Sequence, residues 1–214
     1  MTRPRWVALA LLVALPLGAC GRGTDREPST AEGQVETSTT FKAPSVKVAK
    51  TYGDLAKALN IAAPEGYLLQ PDQVGDTGPT DIVKASRDDG GDDAQGFLTR
   101  TGFVRGYQRQ WMRSAGDDFV VYLYQFGSNA GAVEYTNRLK TEATMAADGM
   151  TIEQFDVPAI NGAVGVNASD ATFASSSVTF VKGPYSVQII VNAKKLTGLP
   201  SLAAALAEEQ YSRL

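Results

Sequence analysis

Histidine is absent from all 214 residues, and cysteine occurs once, at Cys20. Without an imidazole no Ser/His/Asp arrangement can be assembled. Zinc or iron sites built on several His and Cys ligands are excluded for the same reason. A lone cysteine closes no disulfide within the chain. Small exported domains often depend on disulfides; this chain must depend on an ordinary core. Long apolar runs are missing as well. Trp6 to Leu17 covers 12 residues, which as a helix spans roughly 18 Å. The hydrocarbon core of a bilayer is about 30 Å thick, and Pro16 interrupts the run. A permanent membrane span is not expected there.

What is present before Cys20 has the three parts of a secretory signal: basic Arg3 and Arg5, the apolar run, then small residues. Arg3-Pro4-Arg5 is not a paired-arginine motif, which points to the general export route. Ordinary cleavage before Cys20 would put bulky Leu17 at −3, whereas cleavage after Gly21 would put Ala19 and Gly21 at −3 and −1. Leu17-Gly18-Ala19-Cys20 resembles the bacterial lipobox. That resemblance implies that residues 1–19 are a lipoprotein signal peptide and that the Cys20 sulfur carries diacylglycerol. The expected location is the outer, extracytoplasmic face of the cell membrane. Two acyl chains, at about 0.8 kcal/mol per buried CH₂, suffice for stable anchoring. Acylation would also withdraw the last thiol from nucleophilic catalysis.

Removal of Arg3 and Arg5 leaves 18 basic against 23 acidic residues, a net charge of −5. Such a chain has no electrostatic footprint for nucleic acid. Nor has it the basic excess that would hold it to an anionic bilayer, so the lipid must do so.

Residues 20–45 are rich in Gly, Thr, Ser, Glu and Pro, with Val35 and Phe41 as the only large apolar residues. They read as a flexible tether of about 25–30 Å end to end. Residues 46–214 read as a single α+β domain, whose core can bury roughly two-thirds of the unfolded surface. Thr51-Tyr52-Gly53-Asp54 has the pattern of a capping box. A short helix carrying Leu55, Ala58 and Leu59 follows and is stopped by Pro64. Residues 75–96 are Asp- and Gly-rich and read as a polar loop or insertion.

Phe103 to Trp111 alternates, with Phe103, Tyr107 and Trp111 on one side and Gln108 and Gln110 on the other, the pattern of a half-buried strand. Phe119 to Phe126 is apolar on both faces and reads as a central strand, after a turn at Gly116-Asp117-Asp118. Ser128 is placed to cap a helix with Ala132, Tyr135, Leu139, Ala143 and Ala146 on one face, ending at Gly149. The chain then returns through Ile152, Phe155 and Val157 to a turn at 158–162. Val178–Val181 and Tyr185–Val191, joined by Lys182-Gly183-Pro184, predict an antiparallel hairpin. Leu199, Leu202, Ala203 and Leu206 line a last helix starting near Pro200. The expected architecture is an antiparallel sheet with helices packed on it.

No catalytic set, cofactor site or metal site is expected. A Ser/Lys dyad using Lys182, Lys194 or Lys195 has no supporting spacing. Asp88-Asp89-Gly90-Gly91-Asp92-Asp93 offers oxygen ligands for calcium, but without EF-hand spacing or its terminal bidentate Glu it reads as a solvated acidic loop. Glu134, Glu142, Glu153 and Asp156 read as surface carboxylates rather than a glycosidase pair. Gly162-Ala163-Val164-Gly165 reads as a turn, lacking the lysine of a phosphate loop. Tyr107, Trp111, Tyr122, Tyr124 and Phe126 read as core-facing aromatics, although they could also stack a sugar or enclose a lipid tail.

The stretch from Gly102 to Trp111, the run Val121-Tyr122-Leu123-Tyr124-Gln125-Phe126 and the ending Glu209-Gln210-Tyr211-Ser212-Arg213-Leu214 resemble small uncharacterised actinobacterial lipoproteins. In layout the chain is also similar to mycobacterial LpqN-type lipoproteins, whose sheet and helices resemble the photosystem PsbP fold. The resemblance implies location and fold and carries no activity. The expected function is a non-enzymatic binding or interaction module tethered at the cell envelope. Its partner would be an envelope protein; the alternative is a carrier of a lipid or other apolar ligand, and behind that a hydrolase.

Overall fold

The computed structural model describes residues 46–113, 116–145 and 148–214. The expected signal peptide (1–19), the expected tether (20–45) with Cys20, and Ala146 lie outside the described residues. Within them, helix α1 (Tyr52–Ala58) starts at the expected box: Thr51 Oγ1 accepts from Asp54 N–H at 3.1 Å and Asp54 Oδ2 accepts from Thr51 N–H at 3.0 Å. The helix ends at Leu59, five residues before Pro64, so the proline is not what stops it.

Among the described residues one antiparallel sheet holds eight strands. They are β1 (Leu68–Leu69), β2 (Gly78–Thr80), β3 (Phe103–Met112), β4 (Asp118–Phe126), β5 (Thr151–Phe155), β6 (Val164–Ser169), β7 (Ala174–Lys182) and β8 (Tyr185–Ala193). Their order is β1-β3-β4-β8-β7-β6-β5, with β2 also on the outer edge of β3. The fold is therefore α+β. β4 is the expected central strand, paired to β3 and β8, and its two faces feed two cores. Phe119, Val121 and Leu123 join Tyr107, Trp111, Phe180, Val187 and Ile189 beneath α1 and α5 (Leu199–Arg213). Tyr124 and Phe126 join Phe97, Leu98, Ala132 and Tyr135 beneath α2 (Ile82–Asp89), α3 (Ala94–Arg100) and α4 (Asn129–Ala143).

Two terminal signals act as read. Ser128 Oγ accepts from Gly131 N–H at 3.1 Å at the start of α4. Lys182 pairs with Tyr185 across a two-residue hairpin turn in which Gly183 takes φ +56°. Ser128→Ala is expected to cost about 1 kcal/mol, seen in a thermal melt as a fall in Tm of about 2–4 °C; an unchanged Tm would show that the cap does not hold α4.

Five further expectations are corrected. Residues 75–96 are not a loop: they form β2, α2 and the start of α3. α2 carries only one fully buried apolar residue, Ala85, because its inward side chains are polar, and this hid the helix from a hydrophobic reading. Phe103 does not share a side with Tyr107 and Trp111. The register shifts between Phe103 and Arg105, so this β-bulge turns Phe103 to the other face, 5.3 Å from the Tyr124 ring and 5.9 Å from Phe126. β3 is not half-buried, since Gln108 and Gln110 are enclosed along with the aromatics. Val164 and Gly165 begin strand β6 instead of a turn. Gly165 pairs with Phe155, whose ring would lie 2.4 Å from any added Cβ, so a glycine is needed beneath it. Helix α4 also stops at Thr144, short of Gly149.

Candidate functional site

Arg105, Arg109 and Arg113 recur at every fourth residue along β3 and its continuation. Side chains alternate along a strand, so all three lie on the α1 side, interleaved with Tyr107 and Trp111. At about 3.3 Å per residue they stand roughly 13 Å apart, a line of about 26 Å. α1 runs beside this line. Arg105 Nη1 donates to the Lys50 carbonyl and its guanidinium lies 5.8 Å from the Tyr52 ring. Arg109 Nη1 donates to Asn60 Oδ1 at 3.3 Å, just past the end of α1. Arg113 pairs with Asp117 and lies 5.1 Å from the Tyr67 ring.

Two open grooves follow the line. One, of about 460 Å³, lies between α1 and β3 and is lined by Gly53, Ala56, Lys57, Asn60 and Arg109. The other, of about 530 Å³, lies at the end of the sheet where β3 and β8 finish and α5 begins. Tyr67, Leu199 and Leu202 give it an apolar floor, and Arg113, Lys194 and Lys195 give it cations. Tyr67 rests edge-on against Phe119 at 5.2 Å, and Phe119 stacks on Trp111 at 4.5 Å, so the floor is an extension of the core. The start of α5 adds little: Leu199 N–H is taken by the Leu196 carbonyl and Pro200 has no N–H.

On the opposite face α2 is held by polar clamps. Lys84 Nζ donates to the Asp76 carbonyl at 3.0 Å, to Thr80 Oγ1 at 3.4 Å and to Gln108 Oε1. Gln108 Nε2 donates to Asp88 Oδ2 and to the Tyr124 hydroxyl, both at 2.8 Å. Burial pushes Lys84 below and Asp88 above their ordinary values, and drives the Tyr124 phenol well up. Next to them Arg138 donates to Asp89 Oδ1 at 2.8 Å and to Glu142 Oε1 at 2.6 Å, with its guanidinium 4.6 Å from the Phe97 ring. Burial raises the Asp89 carboxyl, opposed by Arg138. These groups bind one another across α2, β3, β4 and α4, which makes them a fastening.

The residues singled out in the sequence fall as follows. The acidic run divides: Asp88 and Asp89 turn inward at the end of α2, while Asp93 pairs with Arg100 at 3.1 Å outside. It is thus not a solvated loop throughout. Among the described residues no three His, Cys, Asp or Glu side chains converge as a metal site. The five aromatics are split between two faces, with Tyr107 and Trp111 in one cluster and Tyr124 and Phe126 in the other, Tyr122 packed against the latter. The Tyr107 hydroxyl meets both oxygens of Asp72 at 2.8 and 2.9 Å, and burial together with that carboxylate pushes its pKa up to about 12. Lys182 donates to the Tyr211 carbonyl at 2.6 Å, far from Lys194 and Lys195 in the fold. Glu134, Glu153 and Asp156 are exposed. The arginine ladder was missed, although its four-residue spacing within a predicted strand was visible.

No family model matches the chain, and no curated protein matches it. No helix among the described residues is long and apolar enough to cross a membrane. Among solved structures, the chain is similar to the extracellular domain of PknH from Mycobacterium tuberculosis, at 9% identity and a TM-score of 0.45, over 77% of this chain and 92% of that one.

Proposed function

We propose that this protein is a lipid-anchored, extracytoplasmic binding module, held to the membrane through Cys20 and presenting its α1–β3 side to a partner at the cell envelope. Kinship with small actinobacterial lipoproteins, and in layout with the LpqN type, belongs to the same proposal. The observation that carries it is the pair of open, mixed apolar and basic grooves on one side of the sheet. On that side of the sheet the large side chains Phe119, Phe180 and Tyr185 are fully enclosed, which favours surface recognition over storage of an apolar ligand.

The position of Val46 supports this arrangement. Val46 lies against Gly183 at the β7–β8 turn. The Tyr185 hydroxyl accepts from Ala49 N–H at 2.6 Å and donates to the Lys47 carbonyl at 2.9 Å. The larger groove lies at the other end of β8, beside Ala193. Nine residues of strand separate the two ends, about 30 Å. The proposed attachment, ahead of Val46, and the larger groove therefore lie at opposite ends of β8.

Cys20→Ser should move the protein from the membrane fraction to the soluble fraction; a variant that stays membrane-bound overturns the anchor. In the acylated protein, a photo-crosslinking residue in place of Thr197 on the groove rim should give a discrete adduct in intact cells, and one in place of exposed Glu134 should not. Equal labelling from both positions would remove the groove as the binding site.

A further inference from the structure

We infer that the grooved side binds an extended acidic peptide segment of a partner protein, laid along β3 with carboxylates on the arginine ladder and an apolar side chain on the Tyr67 floor. The inference rests on the binding-module reading and names the chemistry of its partner. Charge is the first support. The chain carries a net charge of −3, yet the two grooves gather Lys57, Arg109, Arg113, Lys194 and Lys195 against Glu65 and Asp117. Asp117 and Arg113 cancel as an ion pair, and Asp54 accepts from the N–H groups of Lys50 and Thr51, which leaves Lys57, Arg109, Lys194 and Lys195 against Glu65. Lys194 and Lys195 are exposed and take part in no hydrogen bond or ion pair among the described residues. An excess of fixed cations in an otherwise acidic protein draws a complementary anion and repels others of its own charge.

Spacing is the second support. An extended peptide also advances about 3.3 Å per residue, so carboxylates at every fourth position would meet successive arginines over about nine residues. Arg guanidinium groups suit carboxylates because two N–H donors can face two oxygens. The floor of Tyr67, Leu199 and Leu202 calls for an apolar side chain near the Lys195 end, which a peptide supplies and a polyanionic sugar does not.

The test uses the full acylated chain in nanodiscs of zwitterionic lipid. The probe is a fluorescein-labelled peptide of about nine residues with Glu at every fourth position and one Leu near its end. Peptides with Gln or Lys in place of Glu are the controls, and fluorescence anisotropy is the readout. The Glu peptide should bind at least about tenfold more tightly than the Gln peptide and weaken in ~0.5 M salt. The double variant K194E/K195E should lose about tenfold or more with an unchanged melting curve, since both side chains are exposed. Equal binding of the Gln or Lys peptide, or an unaltered affinity in the double variant, overturns the inference. So does capture of phosphatidylglycerol vesicles through the same lysines without peptide binding. A rim-specific crosslinked adduct in cells together with no preference for the Glu peptide would leave the binding module standing and dismiss the acidic partner.

Discussion

Phe119→Ala should lower stability by about 3–5 kcal/mol, the range for deleting an enclosed phenyl group. Phe119 is 0% exposed on the central strand, stacked on Trp111 at 4.5 Å with the rings 12° apart and touching Tyr67 at 5.2 Å. Its loss removes the transfer energy of the ring and leaves a cavity that β3 and β8 cannot close without giving up ladder hydrogen bonds. For a chain of this size the change corresponds to a Tm lower by about 6–20 °C. A second readout is local. A chain that begins at Cys20, as proposed, lacks Trp6, and Trp111 is then its one tryptophan. Its emission should shift to the red in the still-folded variant, and binding at the Tyr67 floor should weaken with it. Phe119→Leu, which keeps most of the volume, should recover most of both effects. A Phe119→Ala protein within about 1 kcal/mol of the parent would show that the aromatic stack does not support the groove.

Arg138→Met should be nearly as costly, about 3–5 kcal/mol at neutral pH. The Asp89 side chain is 0% exposed and Arg138 supplies its cation. With the guanidinium gone a carboxylate stays buried beside Glu142, which opposes its charge, and the hydrogen bond from Tyr135 supports it only in part. The sign of the pH dependence follows. Burial already raises Asp89 in the folded state, and loss of Arg138 raises it further. A carboxyl with a folded pKa above its unfolded value, about 3.9, destabilises fully above the folded pKa and is relieved as pH falls through it. Urea melts should therefore show a smaller deficit for Arg138→Met at pH 5 than at pH 7.5. Asp89→Leu combined with Arg138→Met should restore most of the stability, because an apolar pair needs no desolvation of charge. A double variant weaker than Arg138→Met alone, or a deficit that ignores pH, would refute the clamp.

The parts of the fold legible in the sequence are those set by local chemistry. Thr51 with Asp54, Ser128, and the Gly183-Pro184 turn each satisfy or punctuate the backbone within four residues, so their signals are complete in a short window. The both-sides apolar pattern of Phe119–Phe126 likewise marked β4 as central. What failed depended on distant partners. Lys84 and Asp88 are four residues apart and look like a solvated helix face until Gln108 and Tyr124 are brought over them. The inversion of Phe103 hangs on one bulged residue opposite β4, and no periodicity carries that information. β6 was obscured by Gly165, whose missing side chain makes sense only under the Phe155 ring. The grooves lay deeper still, since they draw on residues 53–67, 109–113 and 193–202. A net charge of −3 says nothing about five cations collected from those segments.

The Tyr185 hydroxyl also has a mechanical meaning. Residues 47–50 cross the ends of β8 and β3 under hydrogen bonds from Tyr185 and Arg105 before the chain turns into α1. A pull transmitted from ahead of Val46, resisted by a partner seated in the far groove, would load β3, β4 and β8 along their length. Antiparallel strands loaded in that direction must slide, breaking many ladder bonds together, whereas a sideways load would peel them one at a time. The Tyr185 contacts would yield first. In the proposed lipid-anchored protein they would act as a strain relief, releasing a few residues while the sheet and its groove keep their shape.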